Sequence, residues 1–307
     1  MKDNSSGIDS FCLGSLSDFK RVVRLYFLFH AAFILLFTLE VTLFFTFLII
    51  SPRSLEMGIS LASFVLTAFT YMVLLFYMQT KKPLQLKSVE RKFMHGCSST
   101  LPPTMNTNDY HLFLAHAAFR LATTIDAHTD IFDSLPLSFR VLFVKFSEWL
   151  HRSDVIFMKQ HLLRSSIDHH LSLLKHDPTN IEVHGSLANT YLAFAEINRG
   201  SISVDAVKRA IEEFLIIDHF APDSPWVQAQ LANCYHLIKD PLKERSCYET
   251  ILNLNPNDKE ILFRLGVLYF EQHLFAKGLE IYDHLRRFQP QKAEELISFY
   301  HQESETL

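Results

Sequence analysis

A net charge of −4 on 307 residues, with a pI near 6.5, leaves no basic stripe of the kind that nucleic acid requires. Four cysteines (Cys12, Cys97, Cys234 and Cys247) without a CxxC pair argue against a disulfide framework and fit a reducing compartment. An apolar share of 49%, with 28 phenylalanines but only 8 glycines, points to helices and to a bilayer segment rather than to strands broken by turns.

Residues 1–21 form a short polar lead, expected on the cytoplasmic side. Residues 22–78 are expected to form a transmembrane helical hairpin, with spans over about 25–50 and 57–78. About 20 apolar residues cross the hydrocarbon core, and both runs are long enough. The first is too long for a cleavable leader and lacks a small-residue cleavage site. Its single acid is Glu40. Against a cost of about 3 kcal/mol for a central charge stand 18 Leu, Ile, Phe and Val residues, each contributing roughly −0.3 to −0.6 kcal/mol, so insertion wins. The connection from Ser51 to Glu56 forces a tight antiparallel turn. Thr38, Thr42 and Thr46 on the first helix, and Ser60, Ser63, Thr67 and Thr70 on the second, recur at helical spacing and are expected to form the packing seam. Glu40 is expected to hydrogen-bond there. A lone carboxylate without a basic partner makes a poor ion site.

Lys20, Arg21 and Arg24 precede the hairpin, and Lys81, Lys82, Lys87, Arg91 and Lys92 follow it. The turn carries only Arg53, offset by Glu56. Basic flanks stay in the cytoplasm, which predicts an integral protein of the inner or cell membrane with both termini and the downstream domain cytoplasmic. The same flanks suit anionic lipid heads.

Residues 79–108, with Pro83, Pro102 and Pro103, are expected to be a linker. Residues 109–180 follow as a helical region, with apolar periodicity over 109–127, 137–150 and 153–176. Pro136 sits where a helix could start, and Asp177–Pro178 marks a stop.

A fixed period then appears. Pro178, Pro222, Pro256 and Pro290 stand at helix ends, the last two intervals being 34 residues and the first 44. Leu265, Gly266, Tyr269, Gly278, Tyr282 and Pro290 make up the last unit. Leu231, Ala232, Tyr235, Tyr248 and Pro256 make up the middle one, where Glu244 occupies a small-residue position. Leu187, Ala188, Tyr191, Ala210, Phe214 and Pro222 make up the first, with about ten extra residues centred on 198–204. Small residues let paired helices touch, and aromatics fill the space between neighbouring pairs. Each pair leaves a face that only a neighbour can cover. Residues 181–290 resemble tetratricopeptide repeats. Residues 161–176 resemble half of a degenerate earlier repeat, and 291–300 a capping helix in which Ala293, Leu296, Ile297 and Tyr300 cover the end. The expected fold is all-α: the hairpin followed by a tetratricopeptide-like α-α superhelix, a right-handed solenoid, over 181–307.

The resemblance implies a non-enzymatic scaffold that binds a protein or peptide in a groove lined by the first helix of each pair. The corresponding positions are Glu182, Ser186, Asn189, Trp226, Gln230, Asn233, Glu260, Phe263, Arg264 and Val267. Some family members clamp a carboxylate with lysines, asparagines and an arginine. Asn189 and Arg264 stand at such positions, but Gln230 replaces the other asparagine with a longer amide, and Gly185 and Glu260 replace both lysines, which weakens a clamp. Trp226 reads either as an interface anchor or as packing against the Pro225 turn. The hairpin also resembles those of secreted inclusion-membrane effectors, which display a domain to a host cytosol. The two-span repeat component of cytochrome c maturation is a further likeness, opposed by the short turn and the charge bias.

No HExxH, Walker, GxGxxG or GxSxG motif occurs, and no cofactor is expected. Sixteen histidines form no compact Cys/His cluster and read as solvated or satisfied side chains. Asp126, His128, Asp130 and Asp133 read as a solvated loop rather than a cation site. Cys234 and Cys247 read as packed thiols.

Overall fold

The structure, a computed structural model, describes the backbone of residues 2–50, 55–127, 137–222 and 224–304, and the side chains of residues 8–50, 55–125, 151–222 and 224–300. Among the described residues it is helical throughout, with no strand. The helices are α1 (Lys2–Ile50), α2 (Leu55–Ser99), α3 (Thr107–Ala127), α4 (Leu137–Leu174), α5 (Ile181–Ile197), α6 (Ser201–Phe220), α7 (Pro225–Leu237), α8 (Pro241–Leu254), α9 (Lys259–Glu271), α10 (Phe275–Phe288) and α11 (Pro290–Ser304). The chain divides into two compact units, residues 1–169 and 170–307.

In the first unit α1 and α2 run antiparallel, and each is twice the length a bilayer needs. Their distal halves are apolar and hardly covered: only 6% and 0% of the most apolar stretches are buried. Their proximal halves are amphipathic and form a packed bundle. Ile8, Cys12, Leu16, Phe19 and Val23 recur every third or fourth residue on α1 and are buried, as are Leu86, Val89, Phe93 and Cys97 on α2. Leu114, Ala118, Leu121 and Ile125 of α3 and Met158, Leu162 and Leu163 of α4 are also buried. The Ser166 hydroxyl donates to the Ala115 carbonyl at 2.9 Å and joins α4 to α3.

This corrects the expected linker over 79–108. Residues 79–99 continue α2 straight through Pro83. A proline inside a helix removes one backbone hydrogen bond. The stripe of buried side chains beyond it holds the helix together regardless. The polar lead is likewise helical rather than a separate segment. The periodic stretches 137–150 and 153–176 are one helix, α4. Pro136 and the group Asp126, His128, Asp130 and Asp133 lie outside the residues whose side chains are described.

The expected hydroxyl seam is only half present. Ser63 and Thr67 donate to Glu40 Oε1 at 2.8 and 2.7 Å. Thr38, Thr42 and Thr46 instead face outward, each hydroxyl returning to the carbonyl four residues back on its own helix. Aromatic rings take the rest of the seam: Phe33 and Phe37 of α1 contact Tyr71 of α2 at ring distances of 5.1 and 6.1 Å, and Phe37 meets Phe64 at 5.5 Å.

The second unit stacks α5/α6, α7/α8 and α9/α10 as sequential antiparallel pairs, each against the next, closed by α11. Caps set the starts. Asn180 accepts from the Val183 amide (3.2 Å), Asp240 from Lys243 (3.2 Å), and Asp258 from Glu260 and Ile261 (3.1 and 3.3 Å). Pro225 and Pro241 occupy first-turn positions where no amide hydrogen is needed. The small residues do steric work in the last pair. A Cβ on Gly278 would stand 2.2 Å from the Phe270 ring, and one on Gly266 would stand 2.6 Å from Leu296. In the first pair the extra residues extend both helices. α5 and α6 have 17 and 20 residues against 13 and 14 in α9 and α10, four and six more respectively.

Candidate partner-binding face of the helical repeats

On each first helix the candidate residues form one stripe: Glu182, Ser186 and Asn189 on α5; Trp226, Gln230 and Asn233 on α7; Glu260, Phe263, Arg264 and Val267 on α9. All ten are wholly or partly open to solvent, while the residues between them (Val183, Leu187, Ala188; Val227, Leu231, Ala232; Leu262, Leu265, Gly266) are buried. The alternation follows from helical periodicity, since residues three and four apart share a face.

The three stripes differ in what they touch. Trp226 leaves 49% of its surface exposed. Its ring meets Phe214 edge-on at 5.9 Å and lies 3.9 Å from where a Gly185 side chain would begin. The far end of its ring therefore lies against α5, with Phe214 of α6 beside it, rather than on the Pro225 turn alone, and half of the side chain stays open. On α9, α11 has taken much of the stripe. Lys292 pairs with Glu260 and lies 5.9 Å above the Phe263 ring, and Phe299 meets Phe263 at 6.3 Å. Phe263 and Val267 pack against the cluster of Leu262, Phe270, Leu285, Ala293 and Leu296. Arg264 stays exposed.

Several polar contacts support these helices. The buried His184 places one ring nitrogen 2.5 Å from Glu213 Oε2 and the other 3.0 Å from the Pro178 carbonyl. Gln228 donates to Asp218 across the α6–α7 turn at 2.7 Å. Glu244, at the small-residue position of the middle pair, is buried, and burial holds its carboxyl above the ordinary range, with the His236 ring 3.3 Å away working the other way. Burial also pushes the Cys234 and Cys247 thiols up to about 12 and about 11, as packed thiols require. In the first unit, α3 and α4 bring His111 and His169 together, their Nδ1 atoms 2.9 Å apart. Burial and then the neighbouring His111 depress the His169 pKa. The two lie 58 positions apart in sequence, so spacing alone gave no sign of the pair. Among the described residues no three His, Cys, Asp or Glu side chains converge as metal ligands would.

Sequential antiparallel pairs, tight contacts at glycine and aromatic wedges between pairs define a tetratricopeptide-like stack. No protein-family model matches the chain. No curated protein matches it either. A crystal structure of MamA covers 47% of this chain and 78% of its own, with 18% identity and a TM-score of 0.36. A crystal structure of TTC0263, a thermophilic TPR protein in Thermus thermophilus, covers 62% of this chain and 98% of its own, with 14% identity and a TM-score of 0.35. With scores this low, the repeat fold rests on the packing of the helix pairs themselves.

Proposed function

We propose that the chain is a membrane-anchored scaffold that binds a partner protein or peptide along the exposed face of its repeats. The observation that carries the anchor is the uncovered apolar length of α1 and α2, which a chain in water would bury. The reading places both ends of the hairpin, with their lysines and arginines, on the cytoplasmic side, and the repeats with them. Partner binding is supported by Trp226, a large aromatic seated against Gly185 and Phe214 yet half exposed, and by the exposed amides and guanidinium of Asn189, Asn233 and Arg264 on the first helices of the pairs. Glu260, Phe263 and Val267 belong less to the binding face than to the seat of α11.

Two measurements test the proposal. Full-length protein should stay in the membrane pellet after alkaline washing; recovery in the supernatant sinks the anchor. Detergent-solubilised full-length protein should capture a partner that Trp226→Ala and Arg264→Glu each weaken about tenfold or more at an unchanged circular dichroism spectrum. Undiminished capture by both variants rejects this face.

A further inference from the structure

α3 and α4 meet along an antiparallel seam. The Ala115 carbonyl takes the Ser166 hydroxyl at 2.9 Å, and one turn away along α3 the ring of His111 meets that of His169, their Nδ1 atoms 2.9 Å apart. We propose that His111 and His169 form an acid-sensitive latch, which holds α3 to α4 near neutral pH and releases it on acidification.

The geometry of the two rings carries it. Their centroids lie 5.2 Å apart, close to the nitrogen separation plus the two ring radii, so the Nδ1 atoms face each other head-on. A metal ion held by both rings would draw the two lone pairs to a third point off that line, whereas a single hydrogen bond lies on it. Neutral imidazole has one N–H and one acceptor nitrogen, so one ring donates through Nδ1 and the other accepts. A first added proton enters at the donor's Nε2 and leaves the bond intact. A second has only the accepting Nδ1 to bind, which ends the hydrogen bond and sets two cations face to face. Both rings are partly open to solvent, so protons reach them. Among the described residues, the charges that act on His169 are His111 across the seam and Asp168 beside it, and none comes from α1 or α2. The Asp9–Arg120 ion pair of α1 and α3 lies more than two turns of helix from His111. Burial and then His111 hold the His169 ring below its ordinary range, with Asp168 working the other way. The contact is therefore at full strength above about pH 6.5 and is lost as the pH falls through the lowered value of the folded state. The Ser166–Ala115 bond does not titrate. His169 is the last residue of the first unit, so the seam opens from the end at which α4 leaves that unit.

Hydrogen–deuterium exchange of the full-length chain in detergent, read by mass spectrometry and corrected for the intrinsic pH dependence of amide exchange, tests this. In the wild type, protection of α3 around His111 and of α4 around His169 should fall about tenfold between about pH 7.5 and about pH 5. His111→Asn and His169→Asn are the controls. The asparagine amide reaches about as far as Nδ1, donates to a neutral ring and accepts from a charged one. Each variant thus keeps a hydrogen bond at both pH values, and should match the wild type near neutral pH while losing most of the acid sensitivity. Unchanged protection of the acidified wild type, or an acid loss of wild-type size in both variants, would overturn the latch.

Discussion

Three glycines in the repeats show how differently the same residue type can be constrained. Gly278 faces the fully buried ring of Phe270 at a distance no Cβ tolerates, and Gly266 faces Leu296 and Ile281. Gly185 would give a new Cβ ordinary contacts, 3.7 Å to Ile217 and 3.9 Å to Trp226. Gly278→Ala is therefore expected to destabilise the repeats by about 1–3 kcal/mol through overpacking. Gly185→Ala should be neutral or stabilising by up to about 1 kcal/mol, from helix propensity alone. Urea unfolding of both variants, followed by circular dichroism, checks the contrast. If Gly278→Ala is as stable as the wild type, the helices of the last pair do not touch as described.

At the scale of the element, α2 is the most instructive. Its distal half was legible as a long apolar helix because an unbroken apolar run of that length stands out in the sequence. Its proximal half was not, because Pro83 reads locally as a helix end. The stripe Leu86, Val89, Phe93 and Cys97 has meaning only once α1 and α3 lie against it. The repeats were legible for the opposite reason. Their period of prolines, glycines and aromatics is local, so each pair announces itself without its neighbours. The seat of α11 on Glu260 and Phe263 was hidden, since those residues match groove positions and nothing in their own helix says that a later one covers them. α2 also makes a testable tie to α4. Lys82 meets Asp154, which is itself 3.3 Å from the buried His151, and Lys82 lies 5.1 Å above the Tyr26 ring. Lys82→Met strands the largely buried Asp154, and the loss expected for one partner of a buried pair is about 3 kcal/mol. The double change Lys82→Met with Asp154→Leu should recover most of it. Thermal melts in detergent that show no coupling between the two changes would mean the pair contributes nothing.

For the whole molecule, the division at residue 170 falls inside α4 rather than in a loop. The repeat unit therefore begins with the last turn of that helix, where Leu173 is buried, and with the turn that supplies the Pro178 carbonyl to His184 and the Asn180 cap to α5. A fragment of residues 170–307 is expected to be soluble and to melt cooperatively. One of residues 181–307, lacking the cap and the carbonyl, should lose about 1–2 kcal/mol. Equal melting of the two would place the start of the unit after Asn180.

The last helix bears on how copies of the chain meet one another. A stack of identical-handed pairs offers at its open end a template for the next pair, and two molecules joined end to end that way make a filament rather than a closed oligomer. Leu296 fills the notch above Gly266, Tyr300 lies against Phe270 and Phe275, and Gln291, Glu294, Glu295 and Ser298 turn outward. α11 thus covers the open side of the last pair with its own apolar face and turns polar groups outward, which disfavours end-to-end stacking directly on α9 and α10.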